Sequence, residues 1–462
     1  MSEAVILITT PVESVPAGGF IRDAKILPYF SKALKARGFS TVIHVPVNSI
    51  ASAIKLAVRG GLEINEAFEI VAKNLYDSMR RSSVYAPLID EALAESLSLL
   101  KWELNYGGLS AKAINKILGF GYVYIHRIKS SEEVLLRRFI RFVGSSFGKV
   151  PFVYSMNENI EHFISLTNLV KAVKLPAGIM LQSPLYTYST LFSPSEPRLT
   201  TRIANQQLNN YSRSLFIDVT GRGLLKLIQA ISPAPLVESY DLVDIARKHS
   251  ARISIPVPAN AFDREILSYR SRRGKEPLAI YFGRLTPEKG LYDLLYIWSH
   301  VERTLPKAKL MLIGSFSSER VEREFKNLRF RLGLKNIEYL GYFEHGEELY
   351  RRVAEAKVLA YPSHQDSFPL TVLEAIALGL LCVAYDIPAL RYVYREVPSV
   401  TLVKKGDIEG MSEALVKALR MEYSNYLTVQ TNSKLLRFLE VYGSWENVAT
   451  AELSSILGYL GE

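Results

Sequence analysis

Two short stretches of the sequence hold residue types that could handle a phosphorylated substrate. The first is Tyr281–Gly290, YFGRLTPEKG. An apolar run ends at Phe282, and Gly283 permits a tight turn with close backbone approach. Arg284 and Lys289 then project from the segment that opens the next helical pattern. A fork-shaped donor and a point charge near a helix N-terminus suit a diphosphate. Taken alone, a strand–turn–helix corner with two solvated cations explains the same residues. The second stretch is His364–Tyr385, HQDSFPLTVLEAIALGLLCVAY. Pro369 suits the first turn of a helix, where its missing N–H would be unpaired anyway, with Ser367 upstream as a cap. Glu374 falls about one and a half turns into that otherwise apolar helix, where a carboxylate is costly without a partner. Asp366 precedes it by eight residues, in the loop feeding the helix. Free N–H groups at the helix start could hold a phosphate between the two acids. An acid-capped helix with Glu374 on its exposed edge accounts well for Asp366 and less well for Glu374.

These groups need rigid elements to hold them, and the pattern supplies parallel β-α units. Ala4–Thr10 and Thr41–Pro46 read as strands, with a helical stretch between them that stops at Gly38. Such a unit implies a parallel sheet with a right-handed crossover. Further strands are expected at Tyr122–His126, Pro151–Ser155, Gly178–Gln182 and Arg252–Pro256. Residues 49–121 lack clear strands and read as a helical insertion. Pro256–Pro277, rich in proline and charge, reads as a linker. A second series follows at Leu278–Phe282, Lys309–Gly314, Val358–Pro362 and Leu381–Tyr385, each run trailed by a helical pattern. The economical reading is α/β, with two doubly wound, Rossmann-like domains in tandem. They are expected at 1–258 and 275–440, with a C-terminal helix over 441–462 packing back across them. In such sheets ligands sit at the carboxyl ends of the strands, so a cleft between the domains would join two such edges.

With 462 residues, 48% of them hydrophobic, the chain is long enough for two or three globular domains. No apolar run reaches the ~18–20 residues of a membrane-spanning helix. The opening residues have no basic stretch before their apolar run and read as a core strand rather than a signal peptide. The lone cysteine, Cys382, excludes an intramolecular disulfide and a thiolate metal cluster, and lies in the apolar run LLCVAY. A reducing, cytoplasmic setting is the simplest fit. A net charge of +10 suits nucleic acid, an anionic membrane surface or a phosphorylated substrate alike. No zinc-finger spacing or RNA-recognition signature accompanies it, so no nucleic-acid partner is expected. Ser130–Gly144, SSEEVLLRRFIRFVG, opens with a capping box of Ser130 and Glu133 and mixes apolar residues with three arginines. It fits a peripheral membrane contact; an ordinary crossover helix, apolar toward the sheet and basic toward water, is the preferred reading.

The second half of the chain resembles the retaining GT-B-fold glycosyltransferases of the large family that includes sucrose synthases and mannosyltransferases of lipid and glycan assembly. The resemblance rests on FGRLTPEKG at Phe282–Gly290 and on an acid-x7-Glu motif at Asp366–Glu374. Between them lie LMLIGS at Leu310–Ser315 and LGYF at Leu340–Phe343, in the matching order. It covers roughly Leu278 to Lys405 and reaches the first domain only weakly. It implies two Rossmann-like domains facing a central cleft. Arg284 and Lys289 would bind the donor diphosphate and stabilise the leaving group. Glu374 would accept hydrogen bonds from the donor ribose, and Asp366 would contact hydroxyls of the transferred sugar. The backbone of Ser367, Phe368, Pro369, Leu370 and Thr371 would line sugar and phosphates. Gly283 and Gly314 would approach phosphate, and Tyr342 the base. In the first domain, Gly18 and Gly19 match a glycine loop near the donor phosphates, and His126 a histidine aimed at the donor sugar. One departure stands out: the family usually has Glu where this chain has Asp366.

The implied reaction transfers a hexose from a UDP-, GDP- or ADP-sugar to a sugar, glycan or lipid-linked acceptor with retention, without metal or other cofactor. No acidic metal motif is evident, so the protein's cations would stabilise the departing diphosphate. Two alternatives stay open: a retaining glycoside phosphorylase using the same cationic site, and a noncatalytic nucleotide-sugar-binding protein.

Overall fold

The computed structural model describes residues 4–9, 18–44, 150–158, 174–185, 216–270 and 276–461, with single residues 63, 66, 166, 167, 170, 213 and 214. Apart from residues 63 and 66, the helical insertion at 49–121 lies outside these, as do the strand at 122–126 and the basic segment 130–144. Contacts divide the chain into two compact units. The first takes in the described parts of Met1–Ile231, Pro235–Val257 and Ala449–Glu462; the second is Ser232–Ala234 with Pro258–Val448.

In the first unit, β1 (Ala4–Thr9) leads into α1 (Gly18–Lys35) and β2 (Phe39–His44). Then come β3 (Phe152–Ser155), β4 (Ala177–Leu181) and β5 (Leu225–Ala230). Helices α2 (Pro233–Glu238) and α3 (Tyr240–Lys248) precede β6 (Arg252–Ser254). The strands form one sheet in the order β2-β1-β3-β4-β5-β6, every described pair parallel. Within it β3 and β4 are buried along their whole length, which is why they read as continuous apolar runs. A cluster around Val153, Ile179, Phe216 and Ile228 forms the core beneath it.

The second unit begins earlier than a linker at 256–277 would allow. Arg264–Tyr269 is a 3-10 helix with Ile266 fully buried, and Ala259, Ala261 and Phe262 are buried beside it. The segment is irregular because it packs, not because it only connects. After it come β7 (Leu278–Phe282), a 3-10 turn at Pro287–Lys289, α4 (Leu291–Thr304) and β8 (Lys309–Ile313). Next are α5 (Glu319–Arg331), β9 (Ile337–Tyr339), α6 (Glu347–Glu355), β10 (Val358–Tyr361) and α7 (Leu370–Ala377). The series closes with β11 (Leu381–Tyr385), α8 (Pro388–Tyr394), β12 (Val400–Val403) and α9 (Ile408–Arg420). Then follow α10 (Tyr423–Gln430), α11 (Ser433–Tyr442) and α12 (Trp445–Leu460), which passes from this unit into the first.

The second sheet is also parallel, in the order β12-β11-β10-β7-β8-β9. The chain builds outward from β7 through β8 to β9, then returns to build the other way from β10. This is the Rossmann order, and the crevice beyond the carboxyl ends of β7 and β10 is its switch point, the place where such sheets bind ligands. No helix among the described residues is long and apolar enough to cross a membrane.

Candidate functional site

Both chemically loaded motifs leave the sheet at that switch point. Arg284 and Lys289 follow β7, and Asp366 follows β10. Lys289 Nζ sits 2.5 Å from Asp366 Oδ2 and also donates to the Gln365 carbonyl at 3.3 Å. Both side chains are largely shielded, at 14% and 16% exposure, so each holds the other's charge away from bulk water. Tyr361, the last residue of β10, donates its hydroxyl to the same Asp366 oxygen at 2.5 Å. One strand over, Tyr281 of β7 donates to the Arg284 carbonyl at 2.8 Å. The two rings stack, 13° apart in plane, with centroids 6.5 Å apart. Two buried tyrosines at neighbouring strand ends thus brace the two loops. Burial pushes both hydroxyls well above the usual phenol range, and the charge of Asp366 adds to this, so both remain donors.

Glycines set how closely the loops approach. Gly283 has φ +132°, a conformation L side chains rarely adopt, and a Cβ there would lie 3.6 Å from Thr371 Oγ1 at the start of α7. Gly314, after β8, has φ +145°, and a Cβ on it would overlap the Gly283 carbonyl oxygen. Only glycine lets these two loops cross. Arg284 is exposed beside them.

Pro369 does not occupy the first turn of α7, as its residue type suggests. It stands just before the helix as the capping residue, with φ −77° and ψ 84°, and no side chain caps the end. Its carbonyl is the helix's first acceptor, taking the N–H groups of Val372 and Leu373, and Tyr394 donates to it at 3.0 Å. That anchor holds the turn without Ser367. The Phe368 ring is buried against Tyr394 and Tyr442, so only its backbone is available to a ligand.

Glu374 is not on an exposed edge. It is buried within α7, and its partner is a residue that the sequence did not single out: His345, whose Nε2 lies 2.7 Å from Glu374 Oε1. Tyr350 reaches the other ring nitrogen of His345 at 2.9 Å. A second histidine is also near the site. His364 Nε2 meets Asp293 Oδ2 at 3.1 Å, and Tyr385, ending β11, donates to that same oxygen at 2.9 Å. A polar residue at a strand's carboxyl end was the available signal for Tyr281, Tyr361 and Tyr385. Nothing local marked His345. Tyr342 is two-thirds exposed in the loop after β9. Gly18 and Gly19 open α1 in the other unit, and His126 lies outside the described residues.

A family model, Glycosyl transferases group 1, matches residues 263–434. The second unit is a group 1 glycosyltransferase domain. A D-inositol 3-phosphate glycosyltransferase of Saccharomonospora viridis is 28% identical over 272 residues, 56% of this chain and 58% of that protein. The aligned stretches span about half the length of the curated relatives that the chain matches. Among solved structures, Anabaena HepE in complex with UDP and glucose aligns over 98% of this chain and 99% of its own, at TM-score 0.55 and 12% identity. An E. coli trehalose-6-phosphate protein bound with UDP-2-fluoro glucose covers 98% of each chain at TM-score 0.55 and 13% identity. The shared architecture is the GT-B fold, two Rossmann-like α/β units.

Proposed function

We propose that this protein transfers a hexose from a nucleotide-sugar to a sugar, glycan or lipid-linked acceptor, with retention and without a divalent metal. The observation that carries the reading is the Lys289–Asp366 pair at the switch point of the second sheet. It sets a cation and a hydroxyl-binding carboxylate side by side, where a diphosphate and the sugar attached to it would meet. The nucleotide-sugar complexes of the structural neighbours support a donor of that class, and the name of the Saccharomonospora relative supports a glycosyl acceptor.

Breaking the bond from anomeric carbon to diphosphate leaves a departing dianion beside an oxocarbenium-like centre. Fixed positive groups aimed at the dianion lower that barrier most. Lys289, Arg284 and the start of α7, which has no side-chain cap, supply them. Asp366 is the partner of the Lys289 ammonium. Donor binding then becomes an exchange: the diphosphate takes the ammonium and Asp366 turns to the sugar hydroxyls. The leaving phosphate can take the acceptor's proton. A cytoplasmic setting belongs to the same reading, in keeping with a single, buried cysteine, Cys382.

Two measurements test this. Turnover of the preferred nucleotide-sugar is expected to survive EDTA; loss with EDTA and return with magnesium or manganese would refute the metal-independent mechanism. Lys289→Ala is expected to depress kcat more than it raises KM, because the contact strengthens as the phosphate departs. It also leaves Asp366 without the ammonium, next to an incoming anion. An unchanged kcat would place Lys289 outside the site.

A further inference from the structure

His345 lies in the loop between β9 and α6, where neither motif reaches. Its side chain is 55% exposed, yet both ring nitrogens are engaged. Tyr350 supplies the fixed end. It is buried, and its ring packs against Tyr269 at 5.7 Å between centroids. Burial, then the charge of Glu374, pushes its hydroxyl far above the phenol range, so it keeps its proton. In the neutral imidazole, Tyr350 O–H donates to Nδ1, which leaves the ring proton on Nε2, facing Glu374 Oε1. The tautomer is thereby set from the protein side.

The consequence falls on Glu374. A carboxylate on an apolar helix has few polar neighbours to choose its rotamer. Here one oxygen is held by His345, and Oε2 accepts no hydrogen bond from another described residue, while the side chain keeps 12% of its exposure. The second oxygen is left to a ligand's hydroxyls. We propose that His345 is a positioning residue for the donor nucleoside, locking Glu374 so that its second oxygen receives the ribose diol. This rests on the reading that Glu374 faces the ribose. The order of action is Tyr350, His345, Glu374, ribose, with each partner removing one rotational freedom from the next. Such preorganisation strengthens a hydrogen bond by cutting the ordering cost of making it.

The experiment is calorimetric binding of UDP, GDP and ADP to the whole protein, continued with whichever binds most tightly, its 2′-deoxy analogue and inorganic pyrophosphate. Wild type should prefer the ribonucleotide over the deoxy form. His345→Ala should weaken the ribonucleotide about tenfold and bring it close to the deoxy form, with pyrophosphate unchanged. His345→Gln, which keeps a donor near Glu374, should recover part of the preference, and Tyr350→Phe should lose part of it. In turnover, His345→Ala should raise KM for the donor and spare kcat. Equal weakening of all three ligands would mean general damage to the loop and would overturn the proposal. So would an unchanged preference for ribose in His345→Ala while Glu374→Gln abolishes it; that result would leave the glycosyltransferase reading intact. Failure of every nucleotide to bind wild type would overturn both.

Discussion

Asp366 and Glu374 stand eight residues apart but answer to different neighbours, Asp366 to Lys289 and Tyr361, Glu374 to His345. Their substitutions should therefore separate. Asp366→Asn keeps the shape and removes the charge that strengthens bonds to sugar hydroxyls. A hydrogen bond to a charged group is worth roughly 1.5–3 kcal/mol, so kcat/KM should fall about tenfold to a hundredfold. Binding of the free nucleoside diphosphate, which lacks the sugar, should barely change. Glu374→Ala should weaken that binding. If calorimetry shows the reverse pattern, the two acids have been assigned the wrong way round. Asp366 itself is the shorter acid, and Tyr361 and Lys289 converge on one of its oxygens. Asp366→Glu must push against both contacts, so partial activity is expected rather than a gain.

At the scale of elements, α7 is the part that must not move, since it carries Glu374 and begins at the motif loop. It has only eight residues, too short to be stable alone. Both ends are held from outside. Tyr394 fixes the Pro369 carbonyl, and Arg270 donates to the carbonyls of Ile376 and Ala377 at 2.8 and 3.2 Å. A guanidinium there satisfies orphan acceptors and complements the helix dipole. Arg270 also bonds Gln430 Oε1 at 2.6 Å, tying α10 to the same point. Arg270→Ala should cost about 1.5–3 kcal/mol in urea unfolding, and Arg270→Lys should recover only part, because one ammonium cannot serve the α7 carbonyls and Gln430 together as the two arms of the guanidinium do. A loss below a few tenths would mean that the cap is ornamental.

At the scale of the whole molecule, the chain returns to where it began. Arg22 on α1 and Glu452 on α12 form a fully buried ion pair at 2.5 Å, and Tyr154 of β3 donates to the other Glu452 oxygen at 2.7 Å. Burial works against the guanidinium charge, but Glu452 and Asp23 outweigh it and push its proton affinity up. Burial pushes the Asp23 carboxyl well above the usual carboxylate range, opposed by Arg22 and seconded by Glu452. Gln229 of β5 donates to the Glu452 carbonyl at 3.0 Å, so the same turn of α12 also serves the sheet. Glu452→Ala takes the nearer carboxylate from buried Arg22, leaving Asp23 at 3.4 Å, and removes the acceptor of Tyr154; it should destabilise the protein by about 3–5 kcal/mol. The double change Arg22→Met with Glu452→Leu should recover part of it, since an apolar pair owes no desolvation while Asp23 loses Arg22 and the Tyr154 hydroxyl loses its acceptor. If the double variant unfolds as readily as the single one, packing rather than the weakened ion pair sets the loss.

The strands were legible where apolar side chains fill both buried faces of a parallel inner strand, as in LAIYF and LCVAY. The strands missed were those that break this rule. β9 is a three-residue edge, β12 is a half-exposed edge, and β5 carries Lys226 and Gln229. Gln229 is tolerable there only through α12, 223 residues further on. By itself the sequence determined the α/β class, the doubly wound pairing of units, and the cationic and acidic residues of the motifs, because periodicity and turn chemistry act over a few neighbouring residues. Tertiary structure alone decided which groups meet. Lys289 reaches Asp366 across 77 positions, His345 reaches Glu374 across 29, and Arg22 reaches Glu452 across 430. Such partners are chosen by which strand ends and helices the sheet order sets side by side, and no local pattern carries that information.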